Sequence, residues 1–91
     1  MKARAHLFIS GRVQGVNYRW FTQGVAQSLS LSGWVRNLPD DRVEAVFEGE
    51  REQIERAIVQ CKQGPAASRV DAVDVTWDDR LENFSDFRIR S

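Results

Sequence analysis

Cysteine occurs once in this 91-residue chain, at Cys61, and proline only twice. A lone thiol excludes an intrachain disulfide and any zinc site of clustered thiolates. No repeat, low-complexity segment or linker is present. No apolar run approaches the roughly 20 residues of a membrane span, and no signal-peptide pattern opens the chain. These absences fit a cytoplasmic protein without a membrane partner. A chain this short buries only about two-thirds of its unfolded surface, so one domain over 1–91, two layers around a single core, is the ceiling.

Acidic residues are missing from the first 39 positions. Lys2, Arg4, Arg12, Arg19 and Arg36 stand there without one, whereas the segment 40–91 holds eight bases and thirteen acids, so the net charge of zero conceals a division. Surface placement accounts for this as bland chance. A site for an anion accounts for it as a need to keep carboxylates away. Composition alone does not choose.

The patterning predicts five strands and two helices. Ala5, Leu7 and Ile9 alternate with His6, Phe8 and Ser10 on a strand. Gly11 to Tyr18 reads as a loop, and Phe21, Val25 and Leu29 place a helix over 19–30. Gly33 to Asn37 is a second strand. Pro39-Asp40-Asp41 is a turn, and Val43, Ala45 and Phe47 mark a third strand. Ile54, Ala57, Ile58 and Cys61 form the apolar stripe of a second helix, ended by Gly64-Pro65. Val73, Val75 and Trp77 alternate on a fourth strand, and Phe84 to Arg90 reads as a short fifth. The order β-α-β-β-α-β plus a short C-terminal strand predicts an α+β, ferredoxin-like two-layer sandwich, with two helices on one face of a largely antiparallel sheet.

The loop Gly11-Arg12-Val13-Gln14-Gly15-Val16-Asn17-Tyr18-Arg19 runs straight into a helix N-terminus. Its glycines allow positive φ, and the helix start adds unpaired amides and the positive end of the dipole, a cradle suited to phosphate. Arg19 in the first turn opposes that dipole, at a cost of a few tenths to about 1 kcal/mol. An exposed arginine with its head in water is one reading, and an anionic ligand as its missing partner is the other. The Lys-Ser/Thr ending of a Walker A loop is absent.

A helix of about eleven residues covers ~16 Å and five strand residues ~17 Å, so the second strand returns Asn37 to the loop's edge of the sheet. Asn37 either joins the site there or hydrogen-bonds the backbone of the following turn. Local sequence leaves both open.

The loop from Gly11 to Arg19 resembles the acylphosphatase motif G-x-V-Q-G-V-x-(F/Y)-R, and Gly33-Trp34-Val35-Arg36-Asn37 resembles its second motif, G-W-V-x-N. Ala26, Leu29 and Leu31 match the intervening helix, and Phe84 to Arg90 resembles the family's closing F-x-x-F-x-I-R. The resemblance implies a ferredoxin-like enzyme that hydrolyses small-molecule acyl phosphates to a carboxylate and inorganic phosphate, without metal or other cofactor. It implies that Arg19 binds the phosphoryl group, that the amides of Gly15, Val16, Asn17 and Tyr18 cradle it, and that Asn37 orients the attacking water. Inorganic phosphate is then product and inhibitor, and the expected state is a monomer. Two departures fall outside the chemistry. Ser30 stands where the family has a glycine after the helix, and Asp41 replaces the glycine of the hairpin turn; both put strain on left-handed positions.

A carboxylate of pKa about 4 departs without a proton donor, so neither a nucleophilic side chain nor a metal is obligatory. The remaining titratable groups read as structural. His6 faces away from Leu7, Cys61 belongs to the core, and Tyr18 and the tryptophans pack, with Tyr18 able to border the leaving group. Asp71, Asp74, Asp78 and Asp79 form a solvated face, and Glu48, Glu50 and Glu52 a strand end and helix start. RNA binding through Phe8 and Phe47 is the main rival. Against it, the RNA-recognition motif and a basic footprint are both missing, so no nucleic-acid partner is expected. A regulatory domain without activity is the other, and retention of both Arg19 and Asn37 argues against it.

Overall fold

Alternation of small apolar with polar residues continues past the expected end of the first strand. In the computed structural model, which describes all 91 residues, β1 runs Lys2–Arg12 and absorbs Gly11 and Arg12. Gly11 has φ 127, and a Cβ there would meet the Arg69 carbonyl oxygen at 2.1 Å, so only glycine lets the two strands approach across the bulge at Ser10/Gly11. The other elements are α1 (Tyr18–Ser28), β2 (Ser32–Asn37), β3 (Val43–Glu50), α2 (Arg51–Gln63), β4 (Arg69–Asp78) and β5 (Phe87–Arg90).

The five strands form one sheet in the order β4-β1-β3-β2-β5, antiparallel except for the β2–β5 pair. Ala3, Ala5, Leu7 and Ile9 of β1, Val43, Ala45 and Phe47 of β3 and Val35 of β2 face the helices and build a single apolar core. The buried stripe of α2 is the expected one, Ile54, Ala57, Ile58 and Cys61. That of α1 is rotated: Tyr18, Thr22, Val25 and Ala26 are buried, and Phe21 and Leu29 lie at the margin. Tyr18 causes the rotation, since its hydroxyl donates to the Cys61 carbonyl at 2.6 Å and ties the first turn of α1 to α2. Phe47 lies in the core, so it offers no stacking surface to RNA.

Two strained positions stand where the sequence placed them. Ser30 has φ 57 and closes α1, with the Leu31 amide donating to the Ala26 carbonyl at 2.9 Å; Asp41 has φ 74 in the β2–β3 turn. The fifth strand is shorter than expected and excludes Phe84. Before it, the chain bends so that the amides of Glu82 and Asn83 donate to the Glu48 carboxylate at 2.7 and 2.9 Å. Glu48, near the end of β3 as expected, is therefore a buried anchor for that segment on the open face of the sheet.

Candidate active site

Register brings the two motifs together. Val43 of β3 lies opposite Ile9 of β1 on one side and opposite Asn37 of β2 on the other. Asn37 is thus level with Ile9, four residues before the loop Val13–Asn17. Val13 is buried and Val16 packs against the core, which pins the loop from beneath and leaves Gly15 and Asn17 exposed. Gly15 has φ 73 with open space around its missing side chain, so backbone conformation alone calls for glycine there. Asn17, at φ 64 and ψ 24, is also left-handed and stands before α1 without a side-chain capping bond. Two left-handed residues two apart curl the backbone into a concave turn of the kind that collects N–H groups.

Those N–H groups have no acceptor within the chain. The first amide after the loop to donate to a backbone carbonyl is that of Phe21, to Asn17 at 2.9 Å. The start of α1, with the positive end of its dipole, borders a pocket of about 280 Å³. Gly15, Asn17, Arg19 and Asn37 line it, with Trp20 and Ile89 beside them.

Arg19 takes part in none of the ion pairs of the chain. The contrast with Arg36 is direct. Arg36 Nε donates to Glu44 at 2.7 Å, and the same carboxylate meets His6 Nε2 at 2.6 Å. Burial opposes ionisation of Glu44, but the hydrogen bonds to His6 and Arg36 outweigh it and hold the carboxyl below the usual carboxylate range. Asn37 is the second unsatisfied group: its Oδ1 is the one buried side-chain polar atom in the chain without a hydrogen-bond partner. An orphaned buried oxygen costs about 1–3 kcal/mol. A water or ligand O–H would complete it.

The other sequence candidates lie apart from the pocket or inside the core. Arg12 is exposed at the end of β1 opposite Arg69 and does not line the pocket. His6 is on the open face of the sheet. Burial pushes the Cys61 thiol up to about 12 and raises the Tyr18 phenol well above its ordinary value, so neither serves as nucleophile or acid near neutral pH. Asp71 pairs with Arg69 at 3.0 Å, and no group of three or more His, Cys, Asp or Glu side chains converges anywhere.

Sequence reasoning assigned no role to Gln14 or Ile89 and took Trp20 for a packing residue, whereas Trp20 is exposed at the pocket. Gln14 Nε2 donates to the carbonyls of Leu38 and Arg42, both at 2.8 Å, and so staples the loop to the turn that follows Asn37. Its position within the loop motif was the available signal. A larger cavity, about 510 Å³, lies at the far end of α1 beside Ser30 and Glu48; it lacks the amide loop and includes the acids Glu48 and Asp86, which suits no anion.

The Acylphosphatase family model matches residues 5–89. An acylphosphatase of Roseiflexus sp. is 58% identical over 76 residues, covering 84% of this chain and 82% of that one. One from Pelotomaculum thermopropionicum is 48% identical over 88 residues, covering 97% and 96%. The crystal structure of acylphosphatase from Bacillus subtilis superposes with a TM-score of 0.96 at 35% identity, covering 98% of this chain and 99% of that one.

Proposed function

The chain belongs to the acylphosphatase family, whose members hydrolyse acyl phosphates, and from that premise we propose that Arg19, Asn37 and the loop amides of Gly15 to Tyr18 carry the reaction here. One observation carries this reading: the unpaired Arg19, at a bare helix start, shares a small pocket with Asn37, whose Oδ1 is the chain's sole orphaned buried side-chain atom.

The phosphoryl oxygens sit in the loop, held by its N–H groups and by the planar, multiply donating guanidinium of Arg19. The Asn37 amide accepts an O–H of water and turns a lone pair toward phosphorus. Water attacks, the bond from phosphorus to the acyl oxygen breaks, and its electron pair leaves on a carboxylate of pKa about 4 that needs no proton. The proton of the water ends on the product phosphate. Catalysis thus consists of positioning and of charge stabilisation in the transition state. The reaction proceeds without a metal, because the leaving group requires no Lewis acid.

Steady-state hydrolysis of benzoyl phosphate tests these roles. Asn37→Ala is expected to lower kcat by about 10²–10³-fold, the cost of one transition-state hydrogen bond, with a smaller change in KM. A large rise in KM with turnover intact would place Asn37 in binding and contradict the mechanism.

A further inference from the structure

Exposed apolar surface is unevenly distributed on this molecule. Four large apolar side chains are exposed: Met1, Val59 on α2, and Trp20 and Ile89, which both border the pocket of Arg19 and Asn37. Trp20 is 72% exposed, the most of any side chain beyond the terminal methionine among them, and Ile89 is 39% exposed. The other two tryptophans are covered. Arg90 and Arg36 lie over the Trp34 ring at 4.8 and 5.5 Å, and Arg51 lies over Trp77 at 4.0 Å. Trp20 has no such partner, although it belongs to the same fold and the same short chain.

The topology explains why the two side chains meet at one place. Gln23 Nε2 donates to the Phe87 carbonyl at 3.2 Å, which sets one face of α1 over β5. Trp20 is three residues before Gln23 and shares that face. Ile89 is two residues beyond Phe87, pairs with Val35, and points to the same side of the sheet as Asn37. The helix N-terminus and the strand C-terminus therefore converge beside the phosphate loop.

We propose that Trp20 and Ile89 form an apolar shelf for the acyl group, so that this site favours acyl phosphates with a flat aromatic or bulky apolar acyl group over small ones. The proposal rests on the reading of Arg19 and Asn37 given above. The loop and Arg19 hold the phosphoryl end inward, so the acyl end points to the mouth that Trp20 and Ile89 border. A rigid, exposed indole gives up little side-chain entropy on contact and stacks well on an aryl ring.

The test is the ratio of kcat/KM for benzoyl phosphate to that for acetyl phosphate. Trp20→Ala is expected to lower this ratio about tenfold, mainly through KM, as one aromatic contact would. Trp20→Phe should keep most of it, and Val59→Ala, an exposed apolar residue on the other helix, should leave it unchanged. An unaltered ratio in Trp20→Ala, with hydrolysis still dependent on Arg19, would overturn the shelf alone. Hydrolysis of both substrates at full rate by Arg19→Gln would instead overturn the reading of the site, and the shelf with it.

Discussion

The two helices lie on the same face of one sheet, are of similar length, and differ in the charges at their starts. α2 follows an extended Glu50, likewise without a side-chain capping bond, and its first turn sets Arg51, paired with Glu55 at 3.7 Å, beside Glu52, with Lys62 in its last turn. α1 follows a left-handed asparagine with no capping bond, has no acid in its first turn and places Arg19 there. Neither helix has a side-chain cap and each holds an arginine in its first turn, so the difference is one of charge: α2 supplies an acid and a partner for its cation, and α1 supplies neither. The uncompensated cation at the start of α1 forgoes about 0.3–1 kcal/mol. What α1 gains is a helix end whose amides and arginine remain free for an anion.

Of changes at the two helix starts, the larger effect should come from giving α1 an acid, as α2 has. Asn17→Asp places a carboxylate at the pocket without requiring a new backbone conformation, since Asp tolerates positive φ. Repulsion of the phosphoryl group should raise KM for benzoyl phosphate at least about tenfold. The ligand-free fold should gain about 0.3–1 kcal/mol from the dipole. Kinetics and thermal melts read the two changes, and an unchanged KM would mean that this helix end does not receive the anion.

The reciprocal change is smaller. Glu52→Gln removes the acid from the first turn of α2 and should cost about 0.3–1 kcal/mol of stability while leaving KM unchanged. A rise in KM of the kind expected for Asn17→Asp would show that long-range charge, and not the helix end at the pocket, controls substrate binding.

Much of this contrast was legible in the residues. The Arg19 position, the glycine loop and the apolar stripe of α2 follow from spacing, and the return of Asn37 to the loop edge follows from element lengths. The register that makes Val43 the common neighbour of Ile9 and Asn37 turns that estimate into a shared pocket. Other features depend on partners distant in sequence. The rotation of α1 comes from a Tyr18 hydroxyl reaching Cys61, and the burial of Glu48 at its strand end comes from its accepting the amides of Glu82 and Asn83. Periodicity cannot register such contacts. Gln14 was visible only as a letter of a motif, since its acceptors are backbone carbonyls 24 and 28 residues away.

Phosphate-dependent melting of the unmodified protein and of Arg19→Gln tests the central claim most directly. Orthophosphate bound by the loop and Arg19, but not by the unfolded chain, should add about 1.4 kcal/mol of stability at ten times its Kd. For a domain this small that is a Tm rise of several degrees, at roughly 4–8 °C per kcal/mol. Arg19→Gln should lose most of the rise together with competitive inhibition by phosphate, and chloride at equal ionic strength should reproduce neither. Equal stabilisation of both proteins by phosphate would put the anion elsewhere and contradict the account of α1.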